Sequence, residues 1–504
     1  MMHRYVLGVD AGQTSIKAVV HDENLRPVSV ARRVSPLDTS MPRHAQRSQD
    51  ALWAASADAI GAAVAQAGID PRDVAAVGIA GHGDGLHLVD AAGGAVGPAI
   101  TALDSRAHRE AEEVLADPDR AGTILNLSGQ VPAAGSPGPL LSWVARNRPE
   151  LIERADAMVS CKDMIRSRLT GQICTDLSDA SASFLDTRRA RWSSAILEAY
   201  GLGGLERLLP ELYCAGDLAG TVRPEAAERT GLAPGTPVVA GAHDVQAASI
   251  GMGALIPDRL ALVAGSFNTN GVTTTRDDVD PRWQSRLSIR PGLRIAMSTS
   301  PTASPALDWL LRLLGITDST GRDALFAEAA ALDPSVPVPL ILPFLYGSPV
   351  GADASAVLAG VRGWHSRAHI LRGMLEGIAL MHLWHTRALG ERFSWDETVV
   401  LGGGLSHSDL YVQLVANALR TPIQVVHNEE AGAFGAAALA AVSQSLFPSV
   451  LAAQEHVARA PVREPTRASA DYWAAVSTAF DRLLASGTAP ERLSAPDRAA
   501  GTTP

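Results

Sequence analysis

Cysteine is scarce, with three in 504 residues, at Cys161, Cys174 and Cys214. An odd number without metal-type spacing excludes a disulfide framework or a zinc-binding knuckle, and a reducing, cytoplasmic compartment fits best. Aromatic residues make up 5% of the chain, which leaves no evident platform on which a ring could stack. Basic charge is in deficit, with 43 Lys and Arg against 53 Asp and Glu and a net charge of −10. A nucleic-acid backbone is therefore not an expected partner, since it needs a basic surface. No apolar stretch approaches the length that crosses a bilayer, so a membrane is not expected either. The first strand begins within a few residues of the start, which leaves no charged-then-apolar signal segment. No internal repeat of fixed period is visible.

What is present is the composition of a globular protein, 46% hydrophobic and 19% charged. A chain of this length exceeds one compact core, so two domains of roughly 200–250 residues are expected. The natural division puts residues 1–245 in the first domain and 246–485 in the second, with residues 486–504 a disordered tail.

The stretch Gly241-Ala242-His243-Asp244 stands at the centre of the reading. It follows the apolar run Thr236 to Ala240, which suits a short buried strand ending in a glycine turn. A carboxylate at such a turn sits on rigid backbone at the rim of a sheet, where ligands collect. Alternatively, Asp244 caps the helix expected over 245–251.

Earlier in the chain, Tyr5 to Val9 and Ile16 to His21 read as strands around the turn Asp10-Ala11-Gly12-Gln13-Thr14-Ser15, with Lys17 just beyond. Such a turn can offer N–H groups and hydroxyls to a phosphate, and Asp10 can hold a hydrated Mg²⁺. It can equally be an ordinary hairpin. It is not a P-loop, because GxxxxGK[ST] is absent and a strand follows. Helical spacing over 51–67 precedes a buried strand over 74–80, which runs into Gly81-His82-Gly83-Asp84-Gly85, a ligand site or a plain glycine turn. Asp104 and Arg106 pair an acid with a guanidinium, most simply as a surface ion pair. Residues 136–192 look mainly helical. A strand over 259–264 leads into Gly265-Ser266-Phe267-Asn268-Thr269-Asn270, a second turn like the first. A helix over 367–389 carries His382 and His385 three residues apart, a spacing that can bind metal but lacks a third ligand, so packing is the favoured role. A strand over 398–401 then delivers Gly402-Gly403-Gly404 to a helix over 409–419, which would suit a nucleotide on bare backbone. A last helix runs over 469–484 with Ser469 at its N-cap.

In this order the parts resemble the FGGY carbohydrate kinases. The resemblance runs from Tyr5 to about Ser443. It is carried by the Asp10 turn and by Lys162-Asp163, Arg168-Leu169-Thr170-Gly171 and Thr175-Asp176. Gly235 to Gly241, Ala356 to Val361, His369-Ile370, Leu375-Glu376-Gly377 and Gly402 to Gly404 complete it. Gln13 and Ser266 stand where the family usually has Thr, and Gly373 where it has Ala or Ser. The run Gly81 to Leu86 looks closer to the L-xylulose and 3-keto-gulonate kinase branch than to glycerol kinases, which carry an Arg-Glu pair there.

The resemblance implies an α/β fold of two ribonuclease-H-like, actin-like ATPase domains with a cleft between them. It implies ATP-dependent phosphorylation of a ketopentose such as xylulose, a keto sugar acid or a polyol. Asp244 would be the general base, with Mg²⁺ at Asp10 and Asp244. His82, Asp84, Asp104, Arg106 and His243 would touch the sugar. Gly12, Gln13, Thr14, Lys17, Gly265, Ser266, Gly402, Gly403, Gly404 and Ser406 would touch ATP. The expected partner is a small sugar or polyol, with a homodimer also compatible. A non-catalytic sugar- or nucleotide-binding regulator using the same cleft is the competing reading, and retention of Asp10, Asp244 and the three glycine turns argues against it.

Overall fold

The computed structural model describes residues 5–334, 336–351, 354–467 and 470–486. Two compact units are formed. The first comprises Met1–Arg259, Val272–Met297 and His427–Ala458; the second comprises Leu260–Gly271, Ser298–Val426 and Arg459–Pro504. The expected division at residue 245 follows chain order, whereas compactness places the helix after Asp244 and the segments 272–297 and 427–458 with the first unit. The expected tail, apart from Ser486, and the Ser469 cap lie outside the described residues.

In the first unit, Tyr5–Ala11 pairs antiparallel with Ser15–Asp22, which pairs antiparallel with Pro27–Val34. On the other side of Tyr5–Ala11 lies Val74–Gly81, parallel to it, with Asp10 opposite Ala80. Pro237–Val239 and then Ala242–His243 run parallel to Val74–Gly81. The parallel strands thus end together, which brings Asp10, His82 and His243 to one rim of one sheet. Polar groups gather at such carboxyl ends because no side chain of the core is needed there.

Each face of this sheet is covered by a helix whose sequence suits the task. Gln49–Ala67 starts at Ser48, whose hydroxyl accepts the Ala51 N–H, and ends at the left-handed Gly68. It packs on Ser15–Asp22 and Pro27–Val34 through residues such as Leu52, Ile60 and Val64. The opposite helix, Ala431–Ser443, consists almost wholly of small residues and lies against Tyr5–Ala11 and Val74–Gly81. Contact is close enough that a methyl on Gly8 would overlap the Ala433 carbonyl, and one on Gly78 the Ala436 carbonyl. The same helix packs on Asp244–Gly251.

A smaller antiparallel sheet orders Gln46–Arg47, Ala99–Thr101, Gly85–Val89 and Ala157–Val159. Its core joins Leu86, Ile100, Leu140, Val144 and Phe184 with helices such as Pro137–Asn147. The turn His82–Asp84 links this sheet to the large one. Residues 136–192, expected to be mainly helical, also contain strands at Ala157–Val159, Cys174–Asp176, Leu185–Asp186 and Arg191–Trp192. These are too short to show a period in sequence.

In the second unit, Leu260–Ala264 of the strand Arg259–Ala264 lies parallel to Val399–Gly402, which is parallel to Ile423–Val425. The 24-residue helix Arg367–Gly390 packs on Asp409–Leu419 and on the hairpin of Leu340–Leu342 with Val357–Ala359. A methyl on Gly373 would overlap the Pro339 carbonyl, which accounts for glycine at this position.

Candidate active site

Backbone geometry delivers Asp244. Gly241 has φ 80°, and a side chain there would run into the Ile79 carbonyl, so glycine is required for the chain to leave Pro237–Val239 and rejoin the sheet at Ala242. Beneath this turn lies a buried ionic cluster. Lys162 Nζ is 2.6 Å from Asp163, 2.9 Å from Asp176 and 3.0 Å from Asp179. Arg166 donates to Asp163 at 2.6 Å and to the Ala240 carbonyl at 2.8 Å. The Lys162-Asp163 motif thus fixes the backbone that carries Asp244. The neighbouring Ser178 hydroxyl accepts the His243 N–H at 2.9 Å.

The helix Asp244–Gly251 has His243 at its N-cap position and Asp244 as its first residue, so the simple cap reading for Asp244 does not hold. Asp244 Oδ1 accepts the Val245 N–H at 2.7 Å and lies 2.9 Å from His243 Nδ1. Its side chain remains about one third exposed, at 35%. Burial lifts its carboxyl, but the charge and hydrogen bond of His243, then His82 and the Val245 N–H, outweigh this and hold it below the usual carboxylate range. Asp10 behaves in the opposite way. Burial first and the Asp244 carboxylate second push it up to about 7, against Lys17. Two neighbouring carboxylates with split affinities for a proton form a donor set that suits a divalent cation. Among the described residues no group of three or more His, Cys, Asp or Glu side chains could hold a metal, so phosphate oxygens and water would have to complete such a site.

The other expected sugar contacts separate into two groups. His82 is buried, its Nδ1 is 3.1 Å from the Asp84 carbonyl, and burial lowers it to about 4, so it is neutral near pH 7. Asp84 is 29% exposed and is met by Arg286, whose Nη2 lies 3.0 and 3.2 Å from its two oxygens. Arg286 Nη1 also lies 2.5 Å from His243 Nε2. The Asp244 carboxylate in turn raises the proton affinity of His243, against its burial and the Arg286 charge. Asp104 and Arg106 are different. They pair at 2.7 Å with both side chains almost wholly buried, so they are not the surface ion pair that local spacing suggests. Asp104 also accepts the Ala45 N–H, and Arg106 stacks over Trp143 and donates to Gln46.

At the turn from Asp10 to Ser15, Gly12 N donates to the Ser15 carbonyl, closing the hairpin, and Thr14 is exposed. The Gln13 carbonyl accepts from Arg47. Lys17 is held at 2.7 Å by Glu430. Within the second unit, Gly265 and Ser266 follow Ala264 directly, and Gly403 at φ 91° lies so close to Ala264 that a side chain would overlap it. Gly402 is paired opposite Val263, Gly403 and Gly404 are exposed, and Ser406 Oγ donates to the Gly403 carbonyl at 2.7 Å. The two glycine turns therefore converge within this unit. Asn268 and Asn270 turn inward instead, to the Ile378 carbonyl and to His382. His385 meets the hydroxyls of Ser298 and Ser300, so both helix histidines serve packing.

Arg286, Glu430 and Asp179 carry no motif and were not expected. Glu430 had the one available signal, an acid immediately before a run of small helical residues.

Residues 5–251 match the N-terminal domain of the FGGY family of carbohydrate kinases, and residues 260–444 match its C-terminal domain. The chain belongs to this family. It is 28% identical over 452 residues to a probable L-xylulose kinase of Haemophilus influenzae, covering 88% of this chain and 91% of the relative. It is 28% identical over 467 residues to the L-xylulose/3-keto-L-gulonate kinase of Escherichia coli, covering 92% of each. The crystal structure of xylulose kinase from Rhodospirillum rubrum superposes with a TM-score of 0.87 at 24% identity, over 96% of this chain and 99% of that one. The fold class is that of the FGGY sugar kinases, and the chain is an ATP-dependent carbohydrate kinase. The non-catalytic regulator reading is not favoured. No helix among the described residues is long and apolar enough to cross a membrane.

Proposed function

We propose that the substrate is a small sugar of the ketopentose, keto-acid or polyol type, and that Asp244 is the general base. The supporting observation is the Asp244 carboxylate, held ionised by His243 and the Val245 N–H at the rim where Asp10 also ends. A sugar hydroxyl is a poor nucleophile. As its oxygen bonds to the γ-phosphorus and the bond to the ADP oxygen breaks, its proton passes to Asp244 and later to water. The Val245 N–H and His243 Nδ1 both meet Asp244 at Oδ1, which leaves Oδ2 to receive that proton. Asp10 and Asp244 would hold Mg²⁺, which when bound neutralises charge on the transferring phosphates. The turn of Gly12, Gln13 and Thr14 with Lys17, the turn of Gly265 and Ser266, and Gly402 to Gly404 with Ser406 are the nucleotide contacts in this reading. His82, Asp84 and His243 are the sugar contacts, with Asp104 and Arg106 holding the wall behind them. The buried thiols of Cys161 and Cys174 and the exposed Cys214, all free, support a reducing cytoplasmic setting.

ADP release measured over a panel of ketopentoses, keto acids and polyols tests the substrate class. Asp244→Asn keeps the shape and removes the acceptor, so kcat should fall by at least ~10²-fold with little change in KM. Near-normal turnover in that variant sinks the base assignment.

A further inference from the structure

Both guanidinium groups among the candidate sugar residues and their partners are matched by a carboxylate. Arg106 is taken up by Asp104 at 2.7 Å, and both side chains are buried. Arg286 is 3% exposed at its side chain and is matched by Asp84, which is 29% exposed. The remaining directions of the Arg286 fork go to His243 Nε2 and, at 3.3 Å, to Gln130 Oε1. The strand Gln284–Leu287 that carries Arg286 is anchored independently, because Ser285 N donates to the Gly129 carbonyl and Gln130 Nε2 donates to the Ser285 carbonyl. The guanidinium therefore does not depend on Asp84 alone for its place. Of the pair, the anion is the half that reaches solvent.

A sugar meeting this wall encounters a carboxylate oxygen first. Hydroxyls can donate to Asp84, whereas a sugar carboxylate would face it as a like charge and would find the Arg286 charge already neutralised. We infer that the Asp84–Arg286 pair is a specificity device that selects uncharged ketoses and polyols and rejects sugars bearing a carboxylate. This rests on the reading of Asp84 as a sugar contact. The selection works by repulsion as well as by fit: an acid sugar gains no free cation and meets an uncovered anion.

The pair makes opposite demands on its two halves, and that separates specificity from damage. Asp84→Asn removes the exposed anion and leaves the Arg286 charge unmatched. Arg286→Gln leaves the Asp84 charge unmatched. The quantity read is the ratio of kcat/KM for L-xylulose to that for 3-keto-L-gulonate, both with ATP at saturation. The wild-type ratio should exceed about tenfold. Asp84→Asn should lower the ratio at least about tenfold, and Arg286→Gln should raise it, even where both variants lose absolute rate. General loosening of the wall would move both ratios toward unity. Calorimetric binding of each sugar to the folded variants reads the same preference without turnover.

A wild-type preference for the acid sugar overturns the inference, as does a ratio that moves in the same direction in both variants. Loss of binding of both sugars in both folded variants overturns it as well, because the pair would then serve binding in general. The kinase reading fails separately, by absence of ADP release from wild type with any sugar of the panel.

Discussion

Lys17 Nζ lies 2.7 Å from Glu430 Oε2, and Glu430 also pairs with Arg32 at 3.0 Å. The cation next to the Asp10–Ser15 turn is thus matched by an anion from the start of the Ala431–Ser443 helix. Their effects on Asp10 oppose each other, Lys17 lowering its proton affinity and Glu430 raising it. Glu430 thus offsets part of the Lys17 effect at Asp10. Glu430→Gln unmasks Lys17 beside Asp10, so half-saturating Mg²⁺ in the kinase assay should rise about two- to tenfold, with the sugar KM little altered. An unchanged Mg²⁺ dependence would remove Glu430 from this account.

Asp10 itself makes a sharper case. Its carboxyl is pushed up to about 7 by burial and by Asp244, so a divalent cation relieves a real electrostatic cost. Adding Mg²⁺ at pH 8 should raise the melting temperature of the wild-type protein, and Asp10→Asn should abolish most of that rise. The variant should also lose at least ~10² in kcat, since half of the carboxylate pair is gone. A Mg²⁺ shift of normal size in Asp10→Asn would place the ion elsewhere.

Much of this site was legible because its pieces are local. The turn from Asp10 to Ser15 lies between two alternating strands, and Gly241 to Asp244 follows a buried apolar run, so strand ends and turn residues announce themselves within ten residues. What the sequence hid was non-local. Arg286 occupies a four-residue strand with no motif, and its partners Asp84, Gln130 and His243 come from three other places in the chain. Asp104 and Arg106 read as a surface pair because nothing near them in sequence reveals Trp143 stacked on the guanidinium or the Ala45 N–H on the carboxylate. The return of residues 427–458 to the first unit was hidden for the same reason. The alanine-rich composition of 431–443 signals close packing without saying against what.

The Asp104–Arg106 pair predicts a stability effect. Arg106→Ala leaves a carboxylate uncompensated in a site where its side chain has no exposure. Breaking such a pair from one side costs about 3–5 kcal/mol, more than either residue contributes as an exposed pair. Denaturant midpoints should fall accordingly, and Asp104→Asn combined with Arg106→Leu should recover part of the loss. Failure of the double variant to regain any stability would show that the Arg106–Trp143 stacking, and not the stranded charge, dominates.

Packing at Gly78 is a test of the sheet–helix contact. Gly78→Ala puts a methyl onto the Ala436 carbonyl, and backbone there cannot swing aside as a side chain could. The helix must lift from the sheet, at a cost of about 2–4 kcal/mol. The same change at Gly201, where nothing lies within 4 Å of a new methyl, is the control for crowding. It carries its own backbone strain at φ 74°, so it should cost about 1–2 kcal/mol and no more. Equal losses at the two positions would mean that the close approach of Ala431–Ser443 is not what Gly78 serves.

Buried histidines contribute to the behaviour in acid. Burial lowers His21 and His82 to about 4, and His87, His382 and His385 to about 3. Unfolded, each would take up a proton near pH 6.5. Between about pH 6.5 and 3–4 these five rings bind more protons unfolded than folded, so their contribution to stability rises with pH across that window, while the raised carboxyl of Asp10 acts in the opposite sense. Stability should be lost progressively as the pH falls from 6.5, and the histidine contribution should level off above it. Replacing His385 by Gln keeps hydrogen-bonding reach toward Ser298 and Ser300 but removes one titrating ring. The variant should be less stable than wild type at pH 7 and should lose less on going to pH 5, a difference of slope of about 1 kcal/mol per pH unit at most. Equilibrium urea unfolding monitored by tryptophan fluorescence at pH 5, 6 and 7 reads both quantities. Parallel pH dependences in wild type and variant would show that His385 does not titrate differently on unfolding.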